Sequence, residues 1–216
     1  IIGIVLFELL IRITLPIYNP KGMLECKYYP DVDIVLCIKN FTGRQWKNTG
    51  DFNVAVSINR YGFRDKKDFL SSSLNDLFVV GDSFSLGWGV EESKRYSDLL
   101  GSILGIRVYN ISVPGGDLDN YQKSLNYAQK NGAKIKNLIV GLCMENDLKD
   151  YESGTKNQYS LNKTSKDKKR YSLSYIFARI IKAWLAKNSA TYHAFTAIMH
   201  QNNTLKRMAI KLGLII

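Results

Sequence analysis

The 216-residue chain has little cysteine, proline or histidine: three Cys, four Pro and two His. The cysteines, Cys26, Cys37 and Cys143, are odd in number and form no Cys-x-x-Cys pair, which argues against a structural zinc site. Cys26 and Cys37 could bridge in an oxidising compartment, or remain two thiols in a small β-rich region. Few prolines, 16 glycines and 45% hydrophobic residues exclude collagen-like, low-complexity and disordered classes. No internal repeat is present. Gly81, Gly87 and Gly89 lie close together, but no Gly-Lys-Ser/Thr follows, so this is not a phosphate loop. Gly-x-Ser-x-Gly is also missing, because Ser85 stands where the second glycine belongs, which disfavours the nucleophile elbow of an α/β-hydrolase.

Acidic residues are scarce in one place. The net charge is +11, yet residues 1–150 are nearly neutral, with 18 basic and 17 acidic side chains. Residues 151–216 carry 12 basic and 2 acidic side chains. A charge so confined argues against a whole-surface nucleic-acid binder and marks a basic C-terminal third.

The chain starts at Ile1 and stops at Gly213-Leu214-Ile215-Ile216, and is read here as a fragment of a longer product. Residues 1–15 hold only two charges, Glu8 and Arg12, spaced as an i,i+4 pair. A 15-residue helix spans roughly 22 Å, against the roughly 30 Å of a bilayer core. Residues 1–17 are therefore expected to be the C-terminal part of a transmembrane or membrane-anchor helix, with an apolar core or interfacial helix as the alternative. Pro16 ends it, since proline cannot continue a helix without losing a hydrogen bond.

Residues 18–74 read as a β-rich lead-in, with strands expected over Val32–Ile38 and Phe52–Ile58 and turns at Thr42-Gly43, Thr49-Gly50 and Tyr61-Gly62. A strand–helix alternation occupies 75–150. Leu77-Phe78-Val79-Val80 is a continuous apolar run, the mark of a strand buried on both faces. Tyr96, Leu99, Leu100 and Ile103 follow helical spacing, closed by Gly105. Strands are expected at Ile106–Ile111 and Leu138–Leu142. Between them a helix through Tyr121, Leu125 and Ala128 starts at Asp117 or Asp119 and ends at Gly132. The β-α-β-α-β order predicts a three-layer α/β/α domain with a parallel sheet.

Residues 151–170 form a basic loop containing Lys163, Lys166, Lys168, Lys169 and Arg170, either simply solvated or touching anionic headgroups. Residues 171–216 are helical. Leu173, Ile176, Phe177, Ile180, Ile181, Trp184 and Leu185 make an apolar stripe expected to be core, and further helices are expected over 190–201 and 204–214.

In open α/β sheets, sites form beyond the carboxyl ends of the strands. Gly81-Asp82-Ser83-Phe84-Ser85 follows the first strand, Asn110-Ile111-Ser112-Val113-Pro114-Gly115-Gly116 the second, and Met144-Glu145-Asn146-Asp147 the third. A serine, a glycine turn and an asparagine at successive strand ends are the parts for acyl transfer. Ser83 would be the nucleophile. The N–H groups of Ser83 and Gly115, with the Asn146 side-chain amide, would form an oxyanion hole. Asp82 and Asp147 are supporting residues. Arg64 is a third, closing a turn or pairing with a carboxylate. No cofactor and no metal are implied. Ser83 as a helix cap, Asn146 as a loop tie and Trp88 as packing are the bland readings of the same residues.

These three blocks resemble those of the SGNH hydrolases, the GDSL-type esterase superfamily. The spacing is 27 residues from Ser83 to Asn110 and 36 from Asn110 to Asn146. The resemblance extends to the membrane-anchored bacterial branch through Asn59-Arg60-Tyr61-Gly62-Phe63-Arg64 and through Phe84 to Val90. It implies a flavodoxin-like SGNH fold and a serine esterase or acyltransferase tethered to a membrane and facing away from the cytoplasm. The implied substrate is an ester, such as an acetylated cell-surface glycan. Two features depart from it. Met144 stands where the third block usually has Gly. The last block, Asp-x-x-His, is not found: Ala190 and Ala197 precede His193 and His200 by three. The base and its orienting Asp are therefore expected beyond Ile216. A non-catalytic binding or scaffold module is the competing class, and a nucleotide-binding flavodoxin-like domain fails for want of a phosphate loop.

Overall fold

The structure, a computed structural model, describes residues 2–20, 22–47, 50–147 and 173–211. The expected basic loop at 151–170 lies outside the described residues. The chain divides into two compact units. One comprises residues 24–45 and 54–164, the other residues 1–23, 46–53 and 165–216.

In the first, mixed α/β unit, β1 (Cys26–Tyr29) and β2 (Ile34–Cys37) form an antiparallel hairpin. Cys26 lies directly opposite Cys37 in the register, and the two form a disulfide. β3 (Thr42–Trp46) pairs with β4 (Asn53–Ser57), so Thr42-Gly43 is strand rather than the expected turn. Cross-strand pairing overrides the turn preference of the Thr-Gly step.

The main sheet has three parallel strands in the order β6-β5-β7: β5 (Leu77–Gly81), β6 (Val108–Asn110) and β7 (Asn137–Gly141). The expected parallel sheet is present. Side-chain alternation along β5 divides its contacts between two faces. Phe78 and Val80 pack with Ile34 and Leu36 of the lead-in, with Tyr109 and Ile111, and with Tyr121 and Ala128 of α4 (Leu118–Lys130). Leu77 and Val79 pack with Val108 and Ile139, and with Leu100 of α3 (Tyr96–Leu104). Lead-in and sheet thus share one core.

The start of α4 and the end of α3 have local causes. Asp117 caps α4 in a reciprocal box with Asn120, each side chain accepting from the other's backbone N–H. Gly105, at φ +64°, closes α3 in the left-handed conformation that glycine adopts without strain. Two one-turn helices, α2 (Ser83–Leu86) and α5 (Met144–Asp147), follow β5 and β7.

The second unit is helical: α1 (Ile2–Thr14), α6 (Leu173–Asn188), α7 (Ala190–Gln201) and α8 (Asn203–Lys211). α1 is 13 residues long, about 20 Å at 1.5 Å per residue. Among the described residues no helix is long and apolar enough to cross a membrane. The stripe of α6 is also corrected, for Phe177, Ile180, Ile181 and Trp184 are exposed rather than core.

Glu8 and Arg12 do form their i,i+4 pair, and they do more. The Glu8 carboxylate accepts from Ala190 N at 2.8 Å, Thr191 N at 3.0 Å and Ser189 Oγ at 2.9 Å, at the N-terminus of α7. Arg12 donates to the Asn188 carbonyl at 2.5 Å, at the end of α6. One ion pair on α1 therefore satisfies the orphan donors of one helix start and an orphan acceptor of the preceding helix end. Burial alone would raise the Glu8 carboxyl, but the Thr191, Ala190 and Ser189 hydrogen bonds prevail and hold it at about 2, below its ordinary 4.5.

Candidate active site

The register brings the carboxyl ends of β5, β6 and β7 together. Gly81 lies level with Gly141, and Val79 with Asn110. Ser83, Gly115 and Asn146 follow those three strand ends, at one edge of one sheet. Two backbone bonds stitch the segment after β6 to β5: Ile111 N to Val79 O at 2.8 Å and Val113 N to Gly81 O at 3.0 Å. The second falls two residues before both Ser83 and Gly115.

Asp82 is buried and caps α2, accepting from Phe84 N at 2.9 Å, while its other carboxylate oxygen is buried without a partner among the described residues. Ser83, the first residue of that turn, is half-buried. Among the described residues its hydroxyl has no hydrogen-bond partner, and neither the Ser83 N–H nor the Gly115 N–H has an acceptor. Gly115 holds φ +66°, a left-handed conformation that suits glycine. Asn146 lies in α5, and its side chain is outside the described residues.

Asp147 is fully buried and ties that turn down, accepting from Cys143 N at 2.8 Å and Tyr121 Oη at 3.0 Å. Burial pushes the Asp147 carboxyl up against the pull of those two bonds, and the Asp82 and Asp117 charges add to the rise. The Tyr121 hydroxyl is raised by burial and by its bond to Asp147.

Arg64 is fully buried and reaches no surface. Its guanidinium donates to the carbonyls of Gly87 and, at 2.6 Å, Val90, so it fixes the segment that follows Ser83. Burial and the charge of Arg95 lower it to about 10. Arg95 is equally buried, donating to the Arg64 carbonyl at 2.6 Å and pairing with Asp98 at 2.6 Å. The rest of the Asn59–Arg64 element serves this placement. Asn59 Oδ1 accepts from Tyr61 N and Phe63 N, and Gly62 takes φ +92° where a Cβ would lie 2.9 Å from Leu36 Cβ.

Asp65, Ser97 and Ser85 support this edge without having been given a role from sequence. Asp65 accepts from Asn110 N at 2.9 Å and from Lys67, linking the lead-in to the second block. Burial raises its carboxyl. Ser97 accepts from Asn110 Nδ2 at 3.0 Å, and that same amide donates to Ser85 O at 2.7 Å. Ser85 itself is buried between two strand ends, with Tyr96 Oη donating to it at 3.0 Å. A Cβ on Gly81 would lie 2.3 Å from Ser85 Oγ, and one on Gly141 2.1 Å. The paired glycines at level strand ends were the only signal in the sequence for this contact.

His193 is buried in the helical unit, donating through Nε2 to Ala186 O at 2.7 Å and packing edge-on against Trp46. Burial lowers its imidazole. His200 lies on the same helix. The α/β unit contains no histidine. Among the described residues no group of three His, Cys, Asp or Glu side chains could hold a metal ion. No family model matches the chain, and no curated protein or solved structure matches it significantly.

Proposed function

We propose that the α/β unit is the core of an SGNH-type serine esterase or acyltransferase, with that family's three-layer flavodoxin-like fold. It would act outside the cytoplasm on ester-linked acyl groups, such as acetyl on cell-surface glycans. The observation that carries the reading is the placement of Ser83. An unpartnered hydroxyl and two N–H groups without an acceptor among the described residues, of Ser83 and Gly115, follow adjoining strand ends, and the segment that leads to Gly115 is bonded to β5. In this reading Ser83 Oγ attacks the ester carbonyl carbon and gives its proton to an imidazole. The carbonyl oxygen gathers negative charge and is held by both N–H groups and by the Asn146 amide. The exposed side chains of Phe84 and Trp88, beside Ser83, offer apolar surface to the acyl part. The Cys26–Cys37 disulfide supports an oxidising location.

The imidazole would come from an Asp-x-x-His, which residues 1–216 do not contain, since Ala190 and Ala197 stand three before His193 and His200. That same fact favours a second reading, a non-catalytic relative that keeps the fold as a binding or scaffold module. A fluorophosphonate probe on the full-length polypeptide separates the two. The enzyme is labelled and Ser83→Ala abolishes labelling. Labelling that survives Ser83→Ala rejects Ser83 as nucleophile, and an unlabelled parent favours the module.

A further inference from the structure

The helical unit exposes a large apolar area. Ile2, Ile4, Leu6 and Ile13 of α1 are 60–78% exposed. Phe177, Ile180, Ile181 and Trp184 recur at i, i+3, i+4 and i+7 along α6, a single stripe, with Phe177 at 65% and Trp184 at 60%. Met208 and Ile210 of α8 are exposed as well.

The charge of the same helices has one sign. Residues 173–211 contain six basic side chains, Arg179, Lys182, Lys187, Lys206, Arg207 and Lys211, and no acidic one. α1 contributes a single acid, Glu8, and its carboxylate is taken up by Ala190, Thr191, Ser189 and Arg12 inside the unit. The four helices therefore present large apolar side chains and cations without a free anion among them.

We propose that these helices lie in the plane of an anionic lipid bilayer surface, their apolar side chains in the interface and their Lys and Arg side chains at the headgroups. Two observations select lipid over a second copy or another protein. Protein interfaces are depleted in Lys, whereas in-plane membrane helices combine a Lys/Arg face with Trp, Phe and Leu. The Lys and Arg side chains of these helices are complementary to anionic headgroups. The inference does not depend on any role of Ser83, and its test reads no catalysis.

The test is flotation of the full chain with vesicles of phosphatidylcholine, alone or mixed with phosphatidylglycerol. Binding to the mixed vesicles should be tighter by about tenfold or more and should weaken as salt is added. Arg207→Glu/Lys211→Glu should remove that preference. Phe177→Ser/Ile180→Ser should reduce flotation on both vesicles while leaving far-UV circular dichroism unchanged, because these side chains are exposed. Brominated acyl chains should quench the parent's tryptophan fluorescence, and Trp184→Phe should abolish the quenching. Equal binding to both vesicle types, or quenching that persists in Trp184→Phe, would overturn the proposal. So would absence of flotation, and a dimer by light scattering would then assign the face to a second copy.

Discussion

Replacing Glu8 by Gln removes one charge from the helical unit while keeping the shape of the side chain. A carboxyl moved from 4.5 to about 2 on folding would correspond to about 3 kcal/mol if nothing damped it. The side chain is 22% exposed, and solvent screening reduces that figure. The second route is local: a helix cap is worth about 0.5–2 kcal/mol, and charge-assisted bonds lie at the upper end. Both routes converge on a loss of about 1–2 kcal/mol at pH 7 for Glu8→Gln. The sign with pH follows from the depressed carboxyl. Its stabilisation is complete above 4.5, fades as pH falls towards 2, and is more than half gone at about pH 3. Urea unfolding followed by far-UV circular dichroism at pH 7 and about pH 3 measures both. The parent and the variant should differ at pH 7 and approach one another at the lower pH. Coincident curves at pH 7, or an equal gap at both, would refute the clamp.

Two further outcomes concern the α/β unit. Gly141→Ala places a methyl group 2.1 Å from Ser85 Oγ and should cost about 1–3 kcal/mol in urea unfolding; unchanged stability would show that Ser85 can move aside. Asn146→Ala should lower ester turnover of the full-length polypeptide by about 10²–10³ with little change in KM, as expected of one oxyanion donor. A change below about threefold would make Asn146 a structural residue.

Much of the α/β unit was legible because its signals are local. Leu77 to Val80 is apolar without interruption, and only a strand covered on both faces makes that pattern favourable. Asp117 and Gly105 mark helix ends through their own backbone chemistry. The strand-end rule then placed Ser83, Gly115 and Asn146 on one sheet edge. What was not legible depends on partners far along the chain. Thr42-Gly43 looks like a turn until Asn53–Ser57 supplies a strand beside it. The stripe through Phe177 and Trp184 has the period of a core helix, but periodicity gives a direction and not the identity of what lies there. Arg64 is a surface residue by composition, and is buried because the carbonyls of Gly87 and Val90 receive its donors. Glu8 and Arg12 could be paired from spacing, but their bonds to residues 188–191 join positions more than 170 residues apart.

The placement of Arg64 bears on how the molecule can be cut. A protein trimmed to begin at residue 75 would keep every strand of the parallel sheet and all three signature blocks. It would lose the guanidinium under Gly87 and Val90 and the carboxylate that receives Asn110 N. The carbonyls and amide so abandoned would turn to water, and the turn carrying Ser83 would lose its shape. Any excised version meant to keep the shape of this sheet edge must therefore retain Arg64 and Asp65, and shuffling this module between proteins must carry the part of the β-rich leader that holds them.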